Sequence, residues 1–111
     1  MEIKKELIEA TCPDCRGPLS QESYDEVREF HCLVGHTYSP SALLQAHYEA
    51  QEKTLWAAVV VLEETAKLVE AVASGFSPSI VKDLESQVAT KQRQSAEIRR
   101  ILENLEPFRT E

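Results

Sequence analysis

The three cysteines of this 111-residue chain all fall between positions 12 and 32, and a histidine follows at 36. That clustering constrains the fold more than any other feature. Two residues separate Cys12 from Cys15, sixteen separate Cys15 from Cys32, and three separate Cys32 from His36. A CxxC turn aims two thiolates at one point, and a second tight turn opened by Gly35 lets Cys32 and His36 supply the other two corners of a tetrahedron. Thiolate and imidazole donors suit zinc, whose filled d shell imposes no competing geometry, and four protein ligands leave no position for water. The spacing therefore predicts one structural Zn2+ per chain, held by Cys12, Cys15, Cys32 and His36. A redox CxxC pair is the competing reading, but it has no βαβ setting here and does not account for the third cysteine or the spaced histidine.

Stability points the same way. Between residues 12 and 38 only Leu19, Tyr24, Val27, Phe30, Leu33, Val34 and Tyr38 are available for a core, too little for a module of this size without a metal. Val27, Glu29 and His31 alternate with Arg28, Phe30 and Cys32, the period-2 pattern of a half-buried strand in a hairpin region. Pro18 and the polar run Ser20 to Ser23 read as turns before it. On that strand His31 points away from Cys32 and is expected to be exposed and not a ligand. Residues 1–11 read as a short helix or a strand, with Ile3, Leu7 and Ile8 as apolar contacts.

From Ser39 the pattern becomes helical. Ser39-Pro40 and Ser77-Pro78 both pair a hydroxyl that can accept an orphan amide with a proline at the first helical position. They predict helices over about 40–74 and 78–106, the first closed by Gly75 in a left-handed conformation and the second stopped by Pro107. Val81, Leu84, Val88, Ile98, Leu102 and Leu105 follow a 3-4 spacing in which Lys91 and Ser95 fill two middle positions. The fold class that follows is mainly α: a zinc knuckle or ribbon-like β-hairpin module over 1–38, then a long antiparallel helical hairpin over 39–111.

Charge and hydropathy exclude several functions. A formal charge of −7 argues against a phosphate backbone as partner, and Arg93, Arg99 and Arg100 alternate with glutamates as on a solvated helix face. The longest apolar run, Leu55 to Leu62, is far short of a membrane span, and MEIKKELIEA lacks an apolar signal core. A cytoplasmic location without membrane or nucleic-acid partner is expected. Carboxylate pairs such as Glu63-Glu64 read as solvated, His47 as a bystander beside Tyr48, and no nucleophile elbow or phosphate-cradling loop occurs. No catalytic residue is assigned.

CPDCRGPL, REFHCLVGHTYSP and SALLQAHYEAQEKTLWAAVVVLEE, in that order over roughly residues 11–73, resemble the C-terminal zinc-binding extension of some bacterial chemotaxis-type protein-glutamate methylesterases. The resemblance implies the same four ligands and an association with chemosensory or two-component signalling. The esterase chemistry of that family belongs to a separate domain with a serine, histidine and aspartate triad, and no position here matches its motifs. An interaction or oligomerisation protein is therefore expected, with a detached accessory subunit that modulates a methylesterase in trans as the runner-up; a true enzyme or a nucleic-acid-binding zinc ribbon is a weaker third class.

Leu55 to Leu62 is apolar on every side of its helix. If residues summing to about 152 face each other across the hairpin, Val59 to Val61 meet the polar TKQRQ stretch, which cannot cover them. A homodimer is expected to do so, with Leu55, Trp56, Val59, Val60 and Leu62 at its interface.

Overall fold

The computed structural model describes residues 3–109. Four strands, β1 (Lys4–Thr11), β2 (Pro18–Tyr24), β3 (Val27–Cys32) and β4 (Thr37–Tyr38), form one antiparallel sheet in chain order. Helix α1 (Pro40–Val72) follows, then a 3-10 turn (Ala73–Gly75) and helix α2 (Pro78–Glu103). Among the described residues no helix is long and apolar enough to cross a membrane.

The N-terminal segment is a strand, and the polar run Ser20 to Ser23, expected as turns, lies inside β2. Its alternation is hidden because both faces are polar: Ser20 Oγ reaches the His31 carbonyl, while Leu19 alone of this strand is fully buried. Ladder hydrogen bonds on both sides, Leu19 opposite Cys32 and Ser23 opposite Lys4 and Arg28, hold the strand where hydropathy would not. The β2–β3 connection is two residues long and puts Asp25 in the left-handed region (φ 54°), which short polar side chains tolerate.

Two units divide the chain: the residues up to Gln51 together with those from Pro107, and Glu52–Glu106. The boundary lies within α1, not at 38/39 as the change of pattern suggests. Leu43 and Ala46, on the first turns of α1, pack with Ile8 and Phe30 against the buried set Cys12, Leu19, Cys32 and Tyr38, which makes them part of the first core. Tyr48 adds an edge-on contact with Phe108 at 5.4 Å. Leu33 and Val34, counted above as core candidates, are instead 87% and 76% exposed.

In the second unit the expected spacing of α2 is observed as far as Leu102, whereas Leu105 lies beyond the helix end and is exposed. Val81, Leu84, Val88, Lys91, Ser95, Ile98 and Leu102 are its half-buried or buried positions, joined by Thr90 beside them. On α1 and the first residue of the turn after it the matching seam is Leu55, Val59, Leu62, Ala66, Val69 and Ala73, spaced four and three in turn. Glu63 fixes the register: its carboxylate accepts two bonds from the Arg99 guanidinium at 3.0 Å each and one from Ser95 Oγ at 3.3 Å. Facing residues therefore sum to about 160, not 152, which sets Val59 level with the Ile98 to Leu102 turn instead of the TKQRQ stretch. Val59 is fully buried as a result, and the second helix covers what it was expected to leave bare.

Both helix starts are capped as expected. Ser39 Oγ accepts from the Ala42 amide at 3.3 Å and Ser77 Oγ from the Ile80 amide at 3.4 Å. Replacing Ser77 by alanine orphans that amide and is expected to lower hairpin stability by about 1 kcal/mol, read as a shifted denaturation midpoint with unchanged slope. The closures differ from expectation. Gly75 is not left-handed; α1 tightens into the 3-10 turn, where the Phe76 amide bonds the Ala73 carbonyl. α2 ends three residues before 106, because the Asn104 amide returns to Ile101 and its side chain donates to the Arg100 carbonyl.

Candidate metal centre

Two similar turns build the site. In the first, the Cys12 amide donates to the Gly17 carbonyl at 2.7 Å and the Arg16 amide to the Cys12 carbonyl at 2.8 Å. In the second, the Cys32 amide donates to the His36 carbonyl at 3.1 Å and the Gly35 amide to the Cys32 carbonyl at 3.2 Å. Each turn reverses the chain within five or six residues and so needs a left-handed residue: Arg16 (φ 64°) in the first, Gly35 (φ 111°) in the second. Glycine takes that conformation freely, whereas Arg16 is strained by its Cβ.

The turns bring together the four residues expected from spacing. The sulfurs of Cys12, Cys15 and Cys32 and a ring nitrogen of His36 all lie within 4.8 Å of one another, a set that can hold a metal ion. Among the described residues no second cluster of this kind occurs. His36 presents Nδ1, 3.6 Å from Cys12 Sγ and 3.2 Å from Cys32 Sγ, and Cys15 Sγ lies 3.7 Å from Cys32 Sγ. Cys12 and Cys32 are buried, His36 is half-buried and Cys15 is exposed, so the centre opens to solvent on the Cys15 side. None of the three cysteines is in a disulfide.

Backbone amides favour thiolates here. Burial opposes charge on Cys32, but the His36 amide, which donates to its sulfur at 3.3 Å, together with the His36 ring and the Val34 amide, brings its pKa down from 9.0 to about 6. Cys12 is likewise lowered: burial raises it, and the Tyr38 hydroxyl with the Cys15 and Asp14 amides outweighs burial. Cys15 moves the other way, since an amide bond from Gly17 is outweighed by burial and by the two neighbouring sulfurs. His36 is raised by its bond to Cys32.

Spacing did not reveal Tyr38 and Asp14. The buried Tyr38 hydroxyl donates to the Asp14 carboxylate and lies 3.2 Å from Cys12 Sγ, and the phenol stays neutral, its pKa pushed well up by burial first and by Asp14 and Cys12 next. Tyr38, two residues after His36, was read only as core; its role here is to tie the first turn to the last strand.

His31 lies outside the cluster, as expected, but it is not exposed. It is half-buried; its Nδ1 lies 3.0 Å from Thr37 Oγ1 and its Nε2 within 3.3 Å of the Glu22 and Glu29 carboxylates. The expected interface residues also separate. Leu55, Val59 and Leu62 face the second helix, whereas Trp56 and Val60 are exposed. Trp56 carries the Arg99 guanidinium 5.5 Å above its ring, so Arg99 and Glu63, read as solvated, form an interhelix contact.

Comparison with protein-family models, with curated proteins and with solved structures returns no match.

Proposed function

We propose that the chain is a non-catalytic, zinc-stapled interaction module that serves bacterial chemosensory or two-component signalling in the cytoplasm through protein–protein contact. One observation carries the metal reading, the convergence of three sulfurs and one imidazole nitrogen. A tetrahedral zinc with Zn–S of about 2.3 Å and Zn–N of about 2.0–2.1 Å has S–S edges of about 3.8 Å and S–N edges of about 3.6 Å. The Cys15–Cys32 separation of 3.7 Å and the Cys12–His36 separation of 3.6 Å match those edges, and Cys32–His36 at 3.2 Å is somewhat short. Amide bonds to the sulfurs and the soft donor set favour Zn2+ over harder divalent ions.

Four protein donors complete zinc's coordination, which supports a structural role. The signalling assignment rests on the resemblance of CPDCRGPL, REFHCLVGHTYSP and the following helix to the methylesterase extension. The same residues support the second reading, an accessory subunit acting on a methylesterase in trans. Metal analysis of protein purified without added zinc is expected to give about one equivalent per chain. Absence of zinc, with all three thiols reacting freely, overturns the metal reading. Capture of partners from the source bacterium then tests the signalling assignment separately: recovery of a methylesterase favours the second reading, and recovery of no chemosensory protein overturns both.

A further inference from the structure

Helix α1 carries two apolar seams, and α2 occupies one of them. Moving two residues along an α-helix turns about 200° around its axis. Displacing the inward seam of α1 by two gives Ala57, Val61, Glu64, Leu68 and Ala71, again spaced four and three, on the side away from α2. All five are exposed, and Val60 and Val72 flank them. Val60, Val61, Leu68 and Val72 are 48–67% exposed. The same displacement on α2 gives Asp83, Ser86, Thr90, Arg93, Glu97 and Arg100, all polar. The second unit therefore has one apolar back and one polar back, and solvation accounts only for the polar one.

We propose that the back of α1 binds the same face of a second copy, antiparallel, about a two-fold axis near residue 66. This deepens the interaction reading above by naming the partner. Two features favour a second copy. First, the seam is complementary to itself when reversed: pairs summing to 132 set Val61 against Ala71 and Ala57 level with Gly75, so each larger side chain meets a smaller one. Second, its charges agree. Glu64 is the one charged seam residue, and the reversed copy brings Leu68 against its stem and Lys67 beside its carboxylate. A parallel pairing would set Glu64 against Glu64 and is disfavoured. The Trp56–Arg99–Glu63 contact lies to the side of the seam and remains intact.

Light scattering or sedimentation of the full chain at micromolar concentration is expected to give twice the 12.5 kDa chain mass. Val61→Glu, at an exposed position, leaves helix content, Trp56 fluorescence and zinc content unchanged and weakens dimerisation about 100-fold or more. Glu64→Lys also weakens it, and adding Lys67→Glu restores it. A monomer throughout the concentration range overturns the proposal, as does a dimer indifferent to Val61→Glu or a charge swap in which the two losses add. A zinc-loaded monomer defeats only this dimer and leaves the interaction reading; a dimer without zinc defeats the metal reading and leaves this one.

Discussion

Replacing Cys32 by serine is expected to abolish metal binding and unfold the sheet, while the hairpin of Glu52–Glu106 keeps its helical signal. Among the described residues the first core holds only Cys12, Leu19, Cys32 and Tyr38 as buried residues, and two of these belong to the set that can hold a metal. Structural zinc contributes about 10–16 kcal/mol of apparent binding free energy in small peptides near neutral pH, more than such a core supplies. The chain has one tryptophan, Trp56, and it belongs to the hairpin unit, so its fluorescence stays near native while the tyrosine signals of Tyr24 and Tyr38 collapse. A strong chelator should reproduce the variant in the native protein.

Acid should act in the same direction. In the metal-free protein the Cys32 pKa falls from 9.0 to about 6, so the stability its thiolate contributes is complete above 9.0 and is lost as pH drops through about 6. His36, raised by Cys32, stays protonated to higher pH, and protons on either ligand compete with metal. Chelators should therefore strip the metal faster at about pH 5 than at about pH 8. An intact sheet after complete metal removal would overturn the stapling argument.

Val59→Asp should give the converse result. Val59 is fully buried in the hairpin seam, and the Arg99 guanidinium is already committed to Glu63. A carboxylate at 59 would be either charged and unpaired or neutralised at a cost, and a loss of about 3 kcal/mol or more is expected. Trp56 fluorescence and much of the helical circular dichroism should fall, with zinc still near one equivalent per chain. Loss of metal in this variant would show that the two units do not fold independently.

The convergence of Cys12, Cys15, Cys32 and His36 was legible because chelation imposes sequence spacing directly, and the helix starts because a cap is a local bond between residues three apart. Half of the hairpin was legible too: a 3-4 repeat shows which side of α2 faces inward without showing what it faces. Register depends on a long-range contact, Glu63 with Ser95 and Arg99, that no local pattern reports. An error of about two helical turns was enough to leave Val59 bare on paper and place it at a dimer contact. β2 was missed for a different reason, since Ser20 to Ser23 have no apolar alternation and owe their strand to neighbours on both sides. Tyr38 was read as core because nothing in its spacing distinguishes a phenol packed by its ring from one anchored by its oxygen.

Ser95 has a further consequence for how the hairpin chooses among its possible alignments. Two helices with 3-4 seams can slide past each other by seven residues and still present apolar side chains at most levels, so hydrophobic contact alone leaves several near-equivalent pairings. At the level of Glu63, a slide of seven would replace Ser95 by Val88 or Leu102. Either would set methyl groups against a carboxylate that now receives a hydroxyl and a guanidinium. The small polar residue at a core position thus gives up some packing at one level, and in exchange the displaced alignments become poor competitors.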